Sequence, residues 1–113
     1  MVKIEIPMNP WSKERIKREM KYATTRSKQY GKPGDWFEVD GKVLELEFIA
    51  KLPLFFITEY LYRTEGAESP EEFQKIWREI HPRKSWDSMM AQEYYYHFFS
   101  HLQGSIEIGT EEP

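Results

Sequence analysis

The chain has 113 residues, 40% of them hydrophobic, with no cysteine and a formal net charge of −3. This size favours one hydrophobic core over two, and the missing cysteines exclude disulfides, a thiolate nucleophile and zinc–thiolate sites. Residues 1–10 lack the apolar stretch of a signal peptide, and no run approaches the roughly 20 apolar residues that span a bilayer. We therefore expect a cytoplasmic protein.

The charge is unevenly distributed along the chain. Residues 1–33 contain nine basic and three acidic residues, whereas the remainder contains seven basic and sixteen acidic ones. The negative total argues against coating of nucleic acid through bulk charge. Two interpretations of the basic third remain open: a local phosphate-binding face, or the solvated face of a helix.

The N-terminal part predicts one strand and one helix. Residues 2–6 alternate between apolar and polar side chains, which is typical of a half-buried strand. Ser12 is a suitable N-cap for a short basic helix over residues 12–20.

A second strand and a hairpin are predicted next. The β-branched Thr24 and Thr25 favour a strand over residues 22–27. Asp40-Gly41 is a typical two-residue hairpin turn, here between strands over residues 36–39 and 43–49. The alternation of the second hairpin strand directs three apolar side chains to the core: Leu44, Leu46 and Phe48.

The second half predicts two helices, a loop and a strand. Residues 54–63 are apolar on most sides, which predicts a buried helix, and a capping box beginning at Ser69 predicts another that ends before Pro82. Residues 83–88 are polar and predict a loop. Residues 93–100 predict a strand that is apolar on both faces, hence central in a sheet or barrel wall. Residues 103–113 are expected to form a partly disordered tail.

Residues 21–26 combine charged and hydroxyl side chains within one short segment. Thr24 and Arg26 are two apart, so they share a face of a regular strand, and an Arg beside a hydroxyl suits phosphate, carboxylate or a nucleobase edge. Lys21 reaches the same site only from the helix-to-strand joint, where a partly desolvated amine would serve as a base. The structural alternative is a salt-bridged Arg26, a solvated Lys21 and threonines that simply form a strand.

Glu65 is the best acid partner for this cluster, because it lies at a corner between two predicted helices. His97 and His101 have a four-residue spacing that converges only on a helix, and this region predicts a strand, so no metal site is expected. The aromatic residues 94–99 fit a core better than a base-stacking platform. No phosphate-binding glycine loop and no Ser-His-Asp set is present, and no cofactor is expected.

These motifs, in this order, resemble the ASCH domains (activating signal cointegrator homology) of the PUA-like superfamily. The resemblance covers about residues 9–99. It rests on four segments: Lys21-Tyr22-Ala23-Thr24-Thr25-Arg26, Gly34-Asp35-Trp36-Phe37-Glu38-Val39, Glu65-Gly66 with the capped helix after Ser69, and Tyr95-Tyr96-His97-Phe98-Phe99.

The resemblance implies an α+β fold in which two to three helices flank a small, mostly antiparallel β-barrel. Residues 1–102 would form this single domain. The superfamily is associated with RNA and modified nucleosides, and some bacterial members with a similar Lys-x-x-Thr-x-Arg pattern remove the acyl group from N4-acetylcytidine. The resemblance thus implies that the partner is RNA or a modified nucleoside or nucleotide.

The catalytic roles of those members fall on Lys21, Thr24 and Glu65. We also expect Arg26, Thr25 and Lys28 to contact the ligand. Two hypotheses follow: a module that binds RNA or a nucleotide, and an amidohydrolase that acts on an acylated cytosine nucleoside. A protein-interaction domain working through the acidic body is a third. A small closed pocket favours the enzyme, whereas an open groove continuous with the basic residues 13–18 favours RNA binding.

Overall fold

The computed structural model of the protein describes residues 1–102, which form four α-helices and four β-strands. Residues 103–113, where the tail was predicted, lie outside the described residues. In chain order the elements are α1 (Pro10–Lys17), β1 (Ala23–Arg26), β2 (Trp36–Val39), β3 (Lys42–Pro53), α2 (Leu54–Tyr60), α3 (Pro70–Ile80), α4 (Trp86–Met90) and β4 (Glu93–His101).

The strands form one antiparallel sheet in the order β1-β4-β3-β2, curled into a half-barrel. This confirms the predicted small antiparallel α+β architecture. The central position predicted for β4 is also confirmed, because β4 lies between β1 and β3. β1 pairs with β4 along one side only, so it is an edge strand of the sheet.

Two hydrophobic clusters pack against opposite faces of β4. Tyr94 and Tyr96 point into one cluster, together with Trp77 of α3, whereas Phe99 points into the other, beside Phe37. Side chains alternate between the two faces of a strand, so a central strand that is apolar on both sides serves both clusters.

The hairpin of β2 and β3 forms at Asp40 and Gly41, whose φ angles are +47° and +88°. Two consecutive left-handed residues are what a type I′ turn requires. Phe48, however, is 46% exposed, so its predicted place in the core is wrong. A β-bulge between Leu46 and Phe48 shifts the register against β4, and Phe48 instead stacks on Phe98 with a 5.1 Å separation of ring centroids.

The N-terminal segment is less regular than predicted. In place of a strand over residues 2–6, a single parallel bridge joins Lys3 to Trp36 of β2. Helix α1 begins earlier than predicted, because Asn9 is the N-cap: its Oδ1 accepts a hydrogen bond from the Ser12 amide at 2.7 Å. Ser12 therefore lies within the first turn of the helix, after Pro10.

The helices of the second half agree in part with prediction. Ser69 caps α3 by accepting a hydrogen bond from the Glu72 amide at 3.0 Å, as the capping box predicts. Helix α2 is not buried on all sides, since Phe55 and Tyr60 are exposed. The polar segment after Pro82 contains the short α4, which sequence reasoning assigned to a loop.

Candidate functional site

A cavity of about 390 Å³ lies beside β1, between the N-terminal segment with the start of α1 and one face of α3. Five polar residues that the sequence singled out line it together: Lys21, Thr24, Thr25, Arg26 and Glu65. Because β1 is an edge strand, side chains from both of its faces reach this cavity. The volume falls within the range of about 300–1,000 Å³ that is typical of small-molecule sites.

Lys21 and Glu65 form a buried ion pair at this site. Lys21 Nζ lies 3.4 Å from Glu65 Oε1 and donates a hydrogen bond to the Glu65 carbonyl oxygen at 3.0 Å. The two residues are only 2% and 3% exposed. Lys21 precedes β1 in the joint after α1, which is the position that the sequence required for it to reach the cluster.

The two threonines have different partners. Thr25 Oγ1 donates a hydrogen bond to Glu65 Oε2 at 2.6 Å, so both oxygens of this carboxylate are engaged. Thr24 Oγ1 instead accepts a hydrogen bond from Arg26 Nη1 at 2.6 Å. Thr24 and Arg26 thus share a strand face, as predicted.

Arg26 is held by the backbone as well as by Thr24. Its Nη1 donates to the Thr25 carbonyl oxygen at 2.9 Å, and its Nη2 donates to the Pro7 carbonyl oxygen at 2.5 Å. Burial lowers the pKa of the Arg26 guanidinium, with the Glu65 carboxylate opposing the shift. The guanidinium therefore links β1 to the N-terminal segment on the other side of the cavity.

Burial also perturbs Lys21. Desolvation lowers the pKa of its ammonium, while the nearby Glu65 carboxylate raises it and the Arg26 guanidinium lowers it further. The net direction is downward. A lysine whose neutral form is more accessible can accept a proton, which a solvated lysine at neutral pH does not readily do.

Two features hold Glu65 in position. The Thr64 carbonyl oxygen accepts hydrogen bonds from the amides of Tyr22 and Ala23, which ties the turn before α3 to the start of β1. Gly66 has a φ of +100°, and a Cβ atom there would lie 3.2 Å from the Cβ of Lys21. The Glu-Gly pair thus permits close approach of the acid to the lysine.

His97 holds β1 in place through hydrogen bonds outside the cavity. Its Nδ1 donates to the Thr24 carbonyl oxygen at 3.2 Å, and its Nε2 accepts a hydrogen bond from the Tyr30 amide at 3.0 Å. Burial lowers the pKa of this imidazole, consistent with the neutral tautomer that both bonds require. His97 is a positioning residue for β1 and does not line the cavity.

The opposite wall of the cavity is largely apolar and aromatic. Trp77 contributes an indole ring fixed by a hydrogen bond from its Nε1 to Met89 Sδ at 3.2 Å, and the His81 ring stacks on it with centroids 4.6 Å apart. Trp11 lies near the lysine, whose Nζ is 5.8 Å from the ring centroid. From the sequence, α3 was predicted only as a capped helix, and its role in lining this cavity was missed. The sequence carries no clear signal for this role, because the 49% exposure of Ile80 at the end of the helix is seen only in the structure.

Lys28 is not part of this constellation. It is exposed, and its Nζ lies 4.9 Å from the centroid of the Tyr30 ring.

The basic residues 13–18 do not line the cavity either. Arg15 pairs with Glu72 at 2.8 Å, and Arg18 pairs with Glu14 at 2.9 Å. The cavity is therefore a discrete site that does not continue onto the basic face of α1.

Among residues 1–102, no group of three or more His, Asp or Glu side chains is arranged to hold a metal ion. Within the same range, no helix has the length and apolar character needed to cross a membrane.

Solved structures that share this architecture include the ASCH domain of Lactobacillus crispatus JV V101, with a TM-score of 0.66 and 14% sequence identity over 88% of this chain and 78% of that one. A protein of Enterococcus faecalis V583 described with the family name DUF984 gives a TM-score of 0.57 and 16% identity over 89% of this chain and 78% of that one. No family model and no curated protein matches the sequence. The chain has the fold of an ASCH domain.

Proposed function

We propose that the cavity is the active site of an amidohydrolase that removes the acyl group from the exocyclic amine of a cytosine nucleoside, as in N4-acetylcytidine. One observation carries the proposal: Lys21, Glu65 and the two threonines meet in the wall of a small, partly closed cavity. This is the pocket geometry that favours an enzyme over an RNA-binding groove.

The burial of this network supports a functional role over a purely structural one. A buried ion pair contributes little net stability, because desolvation of both charges offsets most of their attraction. Titratable groups with perturbed pKa values that line a cavity are instead typical of catalytic sites. Lys21 meets both conditions, since it lines the cavity and the pKa of its ammonium is lowered.

In the proposed reaction the Thr24 hydroxyl attacks the acyl carbonyl carbon. Arg26, which already donates to Thr24 Oγ1 at 2.6 Å, stabilises negative charge as it develops on that oxygen. Lys21 takes the proton that leaves Thr24 while the lysine is in its neutral form, which burial favours. Among the described residues no hydrogen bond joins Lys21 to Thr24, so this transfer occurs after substrate binding or through one water.

The Lys21–Glu65 pair then returns a proton to the leaving nitrogen as the carbon–nitrogen bond breaks, which releases the free cytosine nucleoside. Water hydrolyses the acyl ester on Thr24 and restores the hydroxyl. Each turnover consumes one water and yields one carboxylic acid. Thr25 holds Glu65 through its 2.6 Å hydrogen bond and orients the carboxylate for the transfer.

The experiment is to incubate the purified protein with N4-acetylcytidine and measure cytidine release. Thr24→Ala should abolish turnover while the fold is retained, because the nucleophile is lost. Thr58→Ala is the matched control: Thr58 is also a buried threonine, but its hydroxyl bonds to the Leu54 carbonyl oxygen within α2. Turnover that survives in Thr24→Ala would remove Thr24 as the nucleophile.

Binding of a nucleotide or single-stranded RNA without hydrolysis is the second candidate. Arg26 favours it, because its guanidinium lines the cavity and such a fork suits phosphate or a base edge. A Lys28 variant distinguishes a single nucleotide from an RNA segment, because Lys28 lies outside the cavity and only the longer ligand would reach it. For an RNA segment, Arg26→Ala and Lys28→Ala should both weaken binding in a salt-controlled titration. For a single nucleotide, only Arg26→Ala should do so, and unchanged binding in Arg26→Ala would contradict both forms.

A further inference from the structure

We infer that His81 is a ligand-binding residue that accepts a hydrogen bond from a sugar hydroxyl of the nucleoside. The inference rests on the proposed function for the position of the ligand. His81 follows the last residue of α3 and lines the cavity on the side of the aromatic wall.

The ring orientation of His81 is fixed by two contacts. Its Nδ1 lies 3.0 Å from the Trp77 carbonyl oxygen, and the ring stacks on the Trp77 indole at an interplanar angle of 30°. A carbonyl oxygen only accepts hydrogen bonds, so Nδ1 carries the proton. In the neutral ring, Nε2 is then an acceptor.

The Nε2 atom has no hydrogen-bond partner within the described part of the chain. Trp77 is itself fixed by Met89, so the acceptor of His81 is held on a rigid support. A pre-oriented acceptor without a protein partner beside a cavity matches a ligand that supplies an N–H or O–H donor.

The position of His81 indicates that it contacts the sugar end of the ligand. Lys21 and Glu65 line the cavity and are almost fully buried, whereas His81 is half-buried and also borders a surface groove along α3. Its neighbour Ile80 is 49% exposed. A nucleoside whose acylated amine meets Lys21 and Thr24 therefore extends its opposite end, the ribose, toward the less buried side of the cavity at His81.

The test compares two ligands on two proteins by equilibrium titration. Cytidine carries the ribose, whereas 1-methylcytosine has a methyl group in its place. The wild-type protein should bind cytidine more tightly, and His81→Phe should reduce that preference by roughly threefold to tenfold, the range expected for one hydrogen bond. Phenylalanine retains the stack on Trp77, and any general loosening affects both ligands and cancels in the ratio.

Two further variants complete the design. Gln74→Ala is the matched control, because Gln74 is a polar residue of α3 that lines the surface groove and not the cavity. It should leave the preference unchanged. His81→Asn retains a group near Nδ1 and nothing near Nε2, so it should lose the preference as His81→Phe does, and it replaces that variant if the latter fails to fold.

Binding is measured without turnover, so the outcome is independent of hydrolysis. An unchanged preference for cytidine in His81→Phe and His81→Asn would overturn the role of His81 and leave the proposed hydrolase untouched. Hydrolysis that is absent while the preference depends on His81 would overturn the hydrolase alone. Failure of the wild-type protein to bind either ligand would overturn the role of His81 alone, because cytidine is the reaction product and the cytidine-release assay decides the hydrolase separately.

Discussion

Glu65 receives hydrogen bonds from two buried side chains, Lys21 and Thr25, so each of its carboxylate oxygens has a partner. The lysine supplies the compensating charge and the threonine fixes the orientation of the carboxylate. Thr24, the neighbouring residue on the opposite strand face, is left to interact with Arg26. One strand thus separates two functions, the positioning of the acid and the presentation of a hydroxyl.

Thr25→Val tests the positioning role. The substitution keeps the shape of the side chain and leaves Glu65 Oε2 without its donor. Because the bond is made to a charged group, we expect the free energy of unfolding to fall by about 1.5–3 kcal/mol, as measured by urea denaturation. Thr58→Val, which removes a buried hydroxyl bonded to a neutral carbonyl oxygen, should lower it by only about 0.5–1.5 kcal/mol. An equal loss in both variants would contradict the role of Thr25.

The lowered pKa of Lys21 predicts a pH dependence of stability. Between that lowered pKa and the usual value of 10.5, the unfolded chain binds a proton that the folded protein does not. The free energy of unfolding contributed by this group therefore rises with pH through that window. The difference in unfolding free energy between the wild type and Lys21→Met/Glu65→Gln, measured from pH 7 to 10, should increase with pH. A difference that is constant or falls would contradict the assignment.

At the level of elements, the site depends on the turn between α2 and α3. That turn is tied to β1 through the Thr64 carbonyl oxygen, and it places Glu65 beside the lysine. The N-terminal segment closes the other side, where the Pro7 carbonyl oxygen accepts from Arg26. Three segments distant in sequence therefore hold one cluster of side chains.

Gly66→Ala tests the turn. At a φ of +100° an alanine is strained, and its Cβ would lie 3.1 Å from the Cβ of Arg15 and 3.2 Å from that of Lys21. We expect a loss of about 1–2 kcal/mol in stability and reduced cytidine release, because the turn must move away from Lys21. Gly41→Ala is the control, with a φ of +88° and no atom within 4 Å. It should lower stability and retain turnover, and a matching loss of turnover there would contradict the account.

The elements that local patterns determine were predictable from the sequence. The capping box at Ser69 and the Asp40-Gly41 turn depend on neighbouring residues, and both are present. Phe48 was misplaced because a β-bulge has no clear signal in a period-two pattern. The N-cap was assigned to Ser12 although Asn9 before Pro10 was the better candidate.

The candidate site was predictable in part for the same reason. Lys21, Thr24 and Arg26 are close in sequence, and strand parity places two of them on one face. The partner that Thr25 finds in Glu65 is 40 residues away, so only the tertiary fold reveals it. The same holds for His81, whose free acceptor depends on the Trp77 carbonyl oxygen and on the cavity beside it.

At the scale of the whole molecule, the positive charge of residues 1–33 does not form one continuous binding face. Arg15 and Arg18 are paired with glutamates, and the cavity takes its charge from Lys21 and Arg26. The Arg18–Glu14 pair is exposed and the Arg15–Glu72 pair is partly buried, and each places a negative charge beside a positive one on α1. This charge distribution supports the proposed recognition of one small ligand in a cavity over binding along a phosphate backbone.

The most direct test of this account is to map by NMR where N4-acetylcytidine binds, using Thr24→Ala so that the ligand is not consumed. We predict that the largest chemical-shift changes occur at the amides of Thr25 and Glu65 and at the indole N–H of Trp77, which lie on opposite walls of the cavity. Changes confined to the exposed basic face of residues 13–18, or no changes at all, would contradict it.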